Sequence, residues 1–216
     1  MMEGMTRRSR PLFARMYARV RPTLDREGEA EHRHRLLAGA KGRVVEVGAG
    51  DGGNFAHYPA EVTGVLAVEP EPYLRARAGE QAAKASVPVE IVAGTADDLP
   101  VPDGSADVVV MSLVLCTVPD QHTALTEAAR VLRPDGELRF YEHVAADGGR
   151  LATVQRIADA TLWGMFAGGC HVHRDTAAAI TAAGFVIEDL DRFNFPADRP
   201  KHPAGPHILG RARRTS

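Results

Sequence analysis

The stretch Val44-Val45-Glu46-Val47-Gly48-Ala49-Gly50-Asp51-Gly52-Gly53-Asn54 decides the fold. A short apolar run ends at Gly48, and glycines then alternate at Gly48, Gly50 and Gly52. The pattern reads as a strand, a tight loop and the start of a helix. Glycine lets a backbone turn sharply and approach a ligand with no Cβ in the way. The helix expected after the loop would offer free N–H groups at its start. The loop then lies at the carboxyl end of a first strand, where open parallel sheets bind ligands.

Downstream the chain alternates. Val62 to Val68 reads as a second strand, Pro70 to Ala85 as a helix with Pro70 near its first position, and Val87 to Val92 as a third strand. Ala106 to Met111 is a strongly apolar fourth strand after the Asp103-Gly104 turn. Asp120 to Leu132 reads as a helix ended by Arg133-Pro134-Asp135-Gly136, and Glu137 to His143 as a fifth strand. A helix over Leu151 to Phe166 stops at Gly168-Gly169, and a second is capped by Asp175 and closed by Gly184. Phe185 to Leu190 and Ile208 to Arg211 complete the strands. The expected fold is α/β and Rossmann-like: a seven-stranded, mostly parallel sheet with helices on both faces and an antiparallel strand near the C-terminal edge.

The 216 residues are 44 % apolar and 25 % charged, enough for one domain with its own core. Lys plus Arg is 26 against 28 Asp plus Glu, a net charge of −2, which excludes a strongly basic nucleic-acid binder. Cys116 and Cys170 cannot make a disulfide framework, so a reducing cytoplasm is expected. The run Val108 to Val118 is too short for a transmembrane anchor. Near the N-terminus, Arg7, Arg8, Arg10, Arg15, Arg19 and Arg21 face one acid, Glu3. The interruptions at Arg15, Arg19 and Arg21 exclude a twin-arginine export signal. A basic amphipathic helix is expected, with Leu12, Phe13, Met16, Tyr17 and Val20 on one side, either covering a site or weakly touching an anionic membrane surface. After Pro22, Thr23 is expected to cap a helix that runs to Ala38 and ends at Gly39. His32 and His34 fall on different faces of it and do not make a metal pair.

Gly48, Gly50 and Gly53 also satisfy the dinucleotide pattern G-x-G-x-x-G, a weak signal alone. Two features point instead to S-adenosylmethionine. Glu46, two residues before Gly48, would repel a pyrophosphate but suits the ammonium of a methionine moiety; pairing with a neighbouring backbone amide is the alternative. The C-terminal half lacks the second dinucleotide-binding half and ends in the antiparallel pair. Glu69 ends the second strand about 20 residues past the loop, where an acidic side chain accepts ribose hydroxyls. The loop Gly94-Thr95-Ala96-Asp97-Asp98-Leu99-Pro100 follows the third strand and can lie along an adenine edge. Ser112 and Leu113 end the fourth strand beneath the reactive sulfur, with core packing the alternative for Leu113. Tyr17 can close its ring over a sulfonium, or simply pack with Phe13.

Together these pieces resemble the class I S-adenosylmethionine-dependent methyltransferases of the type 11 group. The matching motifs are Val45-Glu46-Val47-Gly48-Ala49-Gly50-Asp51-Gly52, Glu69-Pro70, Thr95 to Pro100, Asp103 to Val110 and Val131-Leu132-Arg133-Pro134-Asp135-Gly136-Glu137-Leu138. The resemblance implies cofactor contacts at Glu46, Gly48, Gly50, Gly52, Glu69, Pro70, Thr95, Ala96, Asp97, Ser112 and Leu113. Thr95 stands where many members carry an Asp, which shifts the adenine contact toward the Ala96 amide. Ser112 to Val118, Tyr141 to Ala146, Gly169-Cys170, Arg174-Asp175 and Pro206-His207-Ile208 are similar to the alkyl thiol S-methyltransferases of animals over residues 43 to 212. Those carry an apolar membrane anchor that this chain does not match. The implied organisation is a helical cap over residues 1–40 and a methyltransferase core over 41–216.

Methyl transfer to a thiol needs the thiolate, so a base is useful. His143, at the carboxyl edge after the fifth strand, leads the catalytic candidates, and His171 follows with His173 beside it. Glu142 alternates to the opposite side of the strand from His143. Cys170, His171 and His173 lie close in sequence, but without a second cluster they give poor support for a tetrahedral metal site, and no metal is expected. Cys170 is not needed as a nucleophile, and Cys116 reads as a small apolar residue. His207, Trp163 and Phe166 suggest an apolar acceptor pocket. The expected function is methylation of a small apolar molecule, with a thiol as first choice and a phenol or amine as the alternative. A non-catalytic cofactor-binding protein and a nicotinamide dehydrogenase are the readings from other classes.

Overall fold

The computed structural model describes residues 11–161, 168–198 and 202–214. In chain order the strands are β1 (Gly42–Val47), β2 (Val62–Val68), β3 (Val89–Val92), β4 (Ala106–Ser112), β5 (Leu132–His143), β6 (Phe185–Asn194) and β7 (Pro206–Arg214). They form a seven-stranded sheet in the order β3-β2-β1-β4-β5-β7-β6. The first five are parallel, and β7 runs antiparallel between β5 and β6. This is the expected architecture, including the antiparallel strand near the edge.

Alternation along β1, β4 and β5 divides the core into two layers. Val45, Val47, Val109, Met111, Leu138 and Phe140 pack on one face, with Leu125 of α4 (Gln121–Val131) and Ile180 of α6 (Thr176–Ala182). Val44, Val108, Val110 and Tyr141 pack on the other, with Leu36 and Leu37 of α2 (Ala30–Leu37) and Ala78 of α3 (Pro72–Ala82). The parity of a strand position therefore decides which layer it enters. It sends Glu46 and His143 to the α2 side and Glu142 to the α4 side.

Several element boundaries differ from expectation. α1 spans Pro11–Leu24 and runs straight through Pro22, so Thr23 caps nothing. The break comes later, in a wide turn over Asp25–Glu29 where Gly28 takes φ +126°. Tertiary contacts win over the proline there. Ala14 and Ala18 pack on Leu74 of α3, and Arg21 is pinned to Asp25 and Asp51. The apolar side expected for α1 is split. Tyr17 turns inward beside Ala14 and Ala18, with Phe13 stacked on it, while Leu12, Met16 and Val20 are exposed.

No α-helix follows the glycine loop; a 3₁₀ turn at Phe55–His57 takes its place. Asn54 and Tyr58 are both held by Glu46, and Pro59 follows, so the chain turns back to β2 instead of propagating a helix. α3 begins at Pro72, not Pro70; Glu71 is extended, and Arg75 donates to the carbonyls of Glu69 and Pro70. The Pro134-Asp135-Gly136 turn is looped out within β5: Leu132 pairs with Ala106, and pairing resumes with Glu137 opposite Val108. β3 is shorter than expected, and β6 and β7 are longer. α5 covers Gly149–Asp159. The chain turns at Ala160 and Thr161, and the remainder of the helix expected there, with Trp163 and Phe166, lies outside the described residues.

Arg139 joins the N-terminal helices to the sheet. It is 4 % exposed, pairs with Glu137 at 2.6 Å and donates to the carbonyls of Leu36 and Ala38 at 3.0 and 2.8 Å. It thereby satisfies two of the carbonyls that the end of α2 leaves over. Arg139→Ala leaves Glu137 and both carbonyls without their donor. It is expected to lower stability by about 3–5 kcal/mol in urea unfolding, with Arg139→Lys recovering only part. A loss below about 1 kcal/mol would show that the anchor does not matter.

Candidate active site

The carboxyl ends of β1, β2, β4 and β5 carry the polar residues singled out in the sequence. At β1, Gly48, Gly50 and Gly52 have φ of +66°, +59° and +84°. A Cβ on Gly48 would lie 2.6 Å from a methyl of Val114, so only hydrogen fits between this loop and the loop after β4. A Cβ on Gly50 would lie 3.5 Å from the Tyr17 ring. Tyr17 thus sits over the glycine loop, and Arg21 of the same helix reaches both Asp51 oxygens at 2.7 and 2.8 Å. Burial pushes the Tyr17 phenol up to about 12, partly offset by Arg33, so it is protonated at neutral pH.

Glu46 is 2 % exposed and accepts from Asn54 Nδ2 at 2.9 Å and from the Tyr58 hydroxyl at 2.6 Å. Its partners are side chains of the turn after the loop, not the backbone amide weighed from the sequence. Glu69 is 5 % exposed and accepts from the amides of Gly50 and Glu71, both at 2.8 Å. Burial raises it above the usual carboxylate range. After β3, Thr95 bridges to Asp98, Ala96 is buried, and Asp97 is exposed and lines a cleft with Val118 and Pro119. Pro70 is exposed beyond β2.

At the end of β4 the Ser112 hydroxyl is shielded and has no hydrogen-bond partner among the described residues. Leu113 has φ +59°, a strained value for a residue with a γ-branch, and its amide donates to Tyr141 O at 2.7 Å. Such strain persists only where surrounding structure forces it, often beside a functional site. The forcing group is Glu142, fully buried, which accepts from the amides of Val114, Leu115 and Cys116 at 2.9, 2.8 and 3.0 Å.

His143 turns the other way, as alternation requires. Its ring lies 4.5 Å from that of His207, and its Nδ1 lies 3.6 Å from Cys116 Sγ and 3.5 Å from Cys170 Sγ. Burial alone would lower His143, but the Cys170 sulfur and nearby carboxylates raise it. The hydrogen bond from Cys116 and the neighbouring His143 pull Cys170 down, while Cys116 goes up. His207 is 3 % exposed, bonds Gly205 O at 2.7 Å and stacks on Tyr141 and Phe193. Burial holds it well below the usual histidine value, hence neutral.

His171 does not join this group. Its side chain is 42 % exposed and faces Asp159 at 3.9 Å, and the His173 amide also donates to Asp159. Cys170 therefore meets Cys116 and His143 rather than its sequence neighbours. Sequence reasoning passed over Arg33, which pairs with Glu29 at 2.8 Å and donates to Asn54 at 3.0 Å behind the loop. It also passed over Arg174, which holds the carbonyls of Leu115 and Val118. Arg33 lies in no motif, and the Arg174-Asp175 match carries no sign of the carbonyls Arg174 holds, so only the fold discloses these roles.

Glu46 gives a pH signature. Burial lifts its pKa from 4.5 to about 7 against its bonds to Tyr58 and Asn54 and the nearby Arg33 charge, with Glu69 adding to the rise. The folded chain thus binds this proton more tightly than the unfolded one, so its contribution to stability is largest below pH 4.5 and falls as pH rises toward 7. In Glu46→Gln that fall disappears. Between pH 4.5 and 7 the variant is expected to gain on the wild type by on the order of 3 kcal/mol, whatever their offset at the acid end. Urea unfolding across that range reads it; parallel pH profiles would refute the assignment.

Comparison with known proteins bears on the chemistry. The methyltransferase domain family matches residues 45–140. Thiol S-methyltransferase TMT1B of Homo sapiens is 34 % identical over 210 residues, covering 93 % of this chain and 85 % of that protein. Thiol S-methyltransferase TMT1A of Homo sapiens is 35 % identical, over 82 % of this chain and 73 % of that protein. Among solved structures, the YcgJ protein of Bacillus subtilis superposes with a TM-score of 0.66 at 19 % identity, covering 85 % of this chain and 97 % of that one. A geranyl diphosphate methyltransferase in complex with SAM gives 0.67 at 14 % identity, over 88 % and 85 % of the two chains. With this sheet order, this glycine loop and these relatives, the chain belongs to the same family as the human thiol S-methyltransferases and is an S-adenosylmethionine-dependent methyltransferase.

Proposed function

We propose that this methyltransferase acts on a small apolar thiol and converts it to the methyl thioether. The single observation that carries the acceptor assignment is the likeness to enzymes named for thiol methylation over 93 % of the chain, a span that includes the Cys116, His143 and Cys170 motifs beyond the cofactor loop. The aromatic wall of Tyr141, Phe193 and His207 beside His143 supports an apolar acceptor.

The residues at the strand ends fit S-adenosylmethionine. The fit rests on the unpartnered Ser112 hydroxyl, the Cβ-free approach at Gly48 and Gly50, and the buried carboxylate of Glu69 at the end of β2. When bound, the cofactor supplies an electrophilic methyl group on a sulfonium. Gly48, Gly50 and Gly52 would lie along its backbone-facing side, with Glu69 and Pro70 at the ribose. Thr95, Ala96 and Asp97 would border the adenine, and Ser112, Leu113 and Tyr17 the methionine end. Glu46 holds the loop in shape through Asn54 and Tyr58, a supporting role beneath those contacts. His143 is the candidate for taking the acceptor proton. His171, turned toward Asp159, is the weaker one.

The segment before Lys41 acts as a cap, supported by Tyr17 over Gly50 and by the Arg21–Asp51 pair. Residues 41–216 are the transferase core. The cap's outer row Leu12, Met16 and Val20, flanked by Arg15 and Arg19, supports a weak contact with an anionic membrane surface. No helix among the described residues is long and apolar enough to cross a membrane. A cytoplasmic enzyme without nucleic-acid contacts is in keeping with two free cysteines and a net charge of −2.

Incubation with methyl-labelled cofactor and a panel of alkyl thiols, aryl thiols, phenols and amines is expected to label thiols. Labelled phenols or amines with every thiol unlabelled would overturn the acceptor assignment. Glu69→Ala is expected to weaken S-adenosylhomocysteine binding about 10- to 100-fold in calorimetry, with a thermal melt as the folding control. Unchanged affinity would remove Glu69 from the cofactor site.

A further inference from the structure

Three side chains from separate parts of the chain converge at the carboxyl edge of the sheet: Cys116 after β4, His143 at the end of β5 and Cys170 before α6. Their donor atoms lie within 4.8 Å of one another. Zinc–sulfur bonds of about 2.3 Å and zinc–nitrogen bonds of about 2.0–2.1 Å, at tetrahedral angles, put sulfur and nitrogen roughly 3.6 Å apart. The observed separations from His143 Nδ1 are 3.6 Å to Cys116 and 3.5 Å to Cys170. In the absence of metal, a Cys116 to Cys170 hydrogen bond and one from the imidazole can hold the same three groups together, so the cluster can form before an ion binds.

The frame that holds these groups does not depend on the sulfurs. The His171 amide donates to Cys116 O at 2.7 Å, which ties the Cys170 loop to the Cys116 loop. Glu142 clamps the amides of Val114 to Cys116, and Arg174 holds the carbonyls of Leu115 and Val118. Cys116 and Cys170 are buried with Val172, whereas His143 is half-buried, which leaves the cluster open toward the imidazole. Strained Leu113 packs against the cluster of Cys116, Cys170 and Val172, and Val114 touches Gly48 of the cofactor loop.

We propose that Cys116, His143 and Cys170 hold a zinc ion whose fourth position takes the sulfur of the acceptor thiol. Two soft sulfurs and one imidazole suit zinc, and three protein ligands with one open position are the arrangement of catalytic rather than structural sites. The inference rests on the thiol acceptor proposed above. On binding, the acceptor S–H gives its proton to water and the sulfur stays on the metal as a thiolate. A sulfur lone pair then forms the new S–CH₃ bond, and the sulfonium C–S bond breaks with its electron pair staying on the departing thioether. The methylated product is neutral, a weaker ligand, and leaves. His143 then acts as a ligand, and no protein base is required.

The test uses the full chain, untagged, produced with added zinc and purified without chelator. Elemental analysis is expected to find about one zinc per chain. Cys116→Ser, His143→Ala and Cys170→Ser are expected to lose it while still binding S-adenosylhomocysteine. Should a variant fail to fold, cobalt exchanged into the wild type gives an independent reading. A thiolate-to-cobalt charge-transfer band is expected, with visible bands that shift when an alkyl thiol is added. Zinc well below one per chain after loading, with no such band, overturns the proposal. A cobalt spectrum indifferent to thiols overturns the open fourth position. Full thiol methylation by the zinc-free chain overturns the metal's role and leaves the thiol acceptor standing. A zinc-loaded chain that methylates no thiol sinks the acceptor assignment while the metal site stands.

Discussion

Three carboxylates are buried at the ends of parallel strands, and the site is folded around satisfying them. Glu46, Glu69 and Glu142 close β1, β2 and β5 at 2 %, 5 % and 0 % exposure. A carboxylate out of water is costly unless donors replace its hydration. Loops at the carboxyl edge, from the same strand or a neighbouring one, supply those donors. Asn54 and Tyr58 serve Glu46, the amides of Gly50 and Glu71 serve Glu69, and three successive amides serve Glu142. The shape of the glycine loop, the strain at Leu113 and the placement of Cys116 are therefore consequences of charge burial. The sheet makes the ends coplanar, and the carboxylates turn the loops into a fixed cradle.

The N-terminal helices extend the same logic. Arg33 is 3 % exposed and meets Glu29, Asp25 and Asn54, while Arg21 meets Asp25 and Asp51. These guanidiniums place positive charge behind a loop crowded with acids. Burial of Ala14, Ala18 and Leu74 then brings Tyr17 over Gly50. An isolated reading of Pro22 breaks the helix because it counts only the lost amide and the clash with the preceding turn. The paired charges on either side of Pro22 outweigh that local penalty, and the break moves to Gly28, the residue that tolerates φ +126°.

What was legible in the sequence is what period and spacing encode. Short runs of valine located β1 and β4, and the glycine spacing located the ligand end of β1. Glu46 and Glu69 stood out because a carboxylate beside a glycine loop is chemically conspicuous. The helix expected after Gly53 was not there, because the demand of Glu46 for Asn54 and Tyr58 comes from the third dimension. The Cys116–His143–Cys170 group was invisible for the same reason. Its members are spaced 27 residues apart each way, far from any short ligand motif. Cys170, His171 and His173 are conspicuous because they are close in sequence, yet they have different neighbours in space.

The sheet order sets two chemically different walls on either side of one crevice, which suits the proposed separation of cofactor from acceptor. Strand order runs outward from β1 to β2 and β3 one way, and to β4 and β5 the other, so the connections leave the β1–β4 junction in opposite directions. A crevice opens where that reversal occurs. Gly48 and Val114 touch across it, with no room for a Cβ. The buried acids of β1 and β2 lie to one side, where a polar cofactor needs fixed acceptors. The sulfurs, imidazole and aromatic rings at β4, β5 and β7 lie to the other. In the proposed reaction a methyl group crossing this junction would pass from a hydrogen-bonding wall to a soft, polarizable one. That asymmetry favours a sulfur nucleophile over a hard oxygen or nitrogen, because the second wall offers few donors to a hydroxyl or amine and several partners to a thiolate.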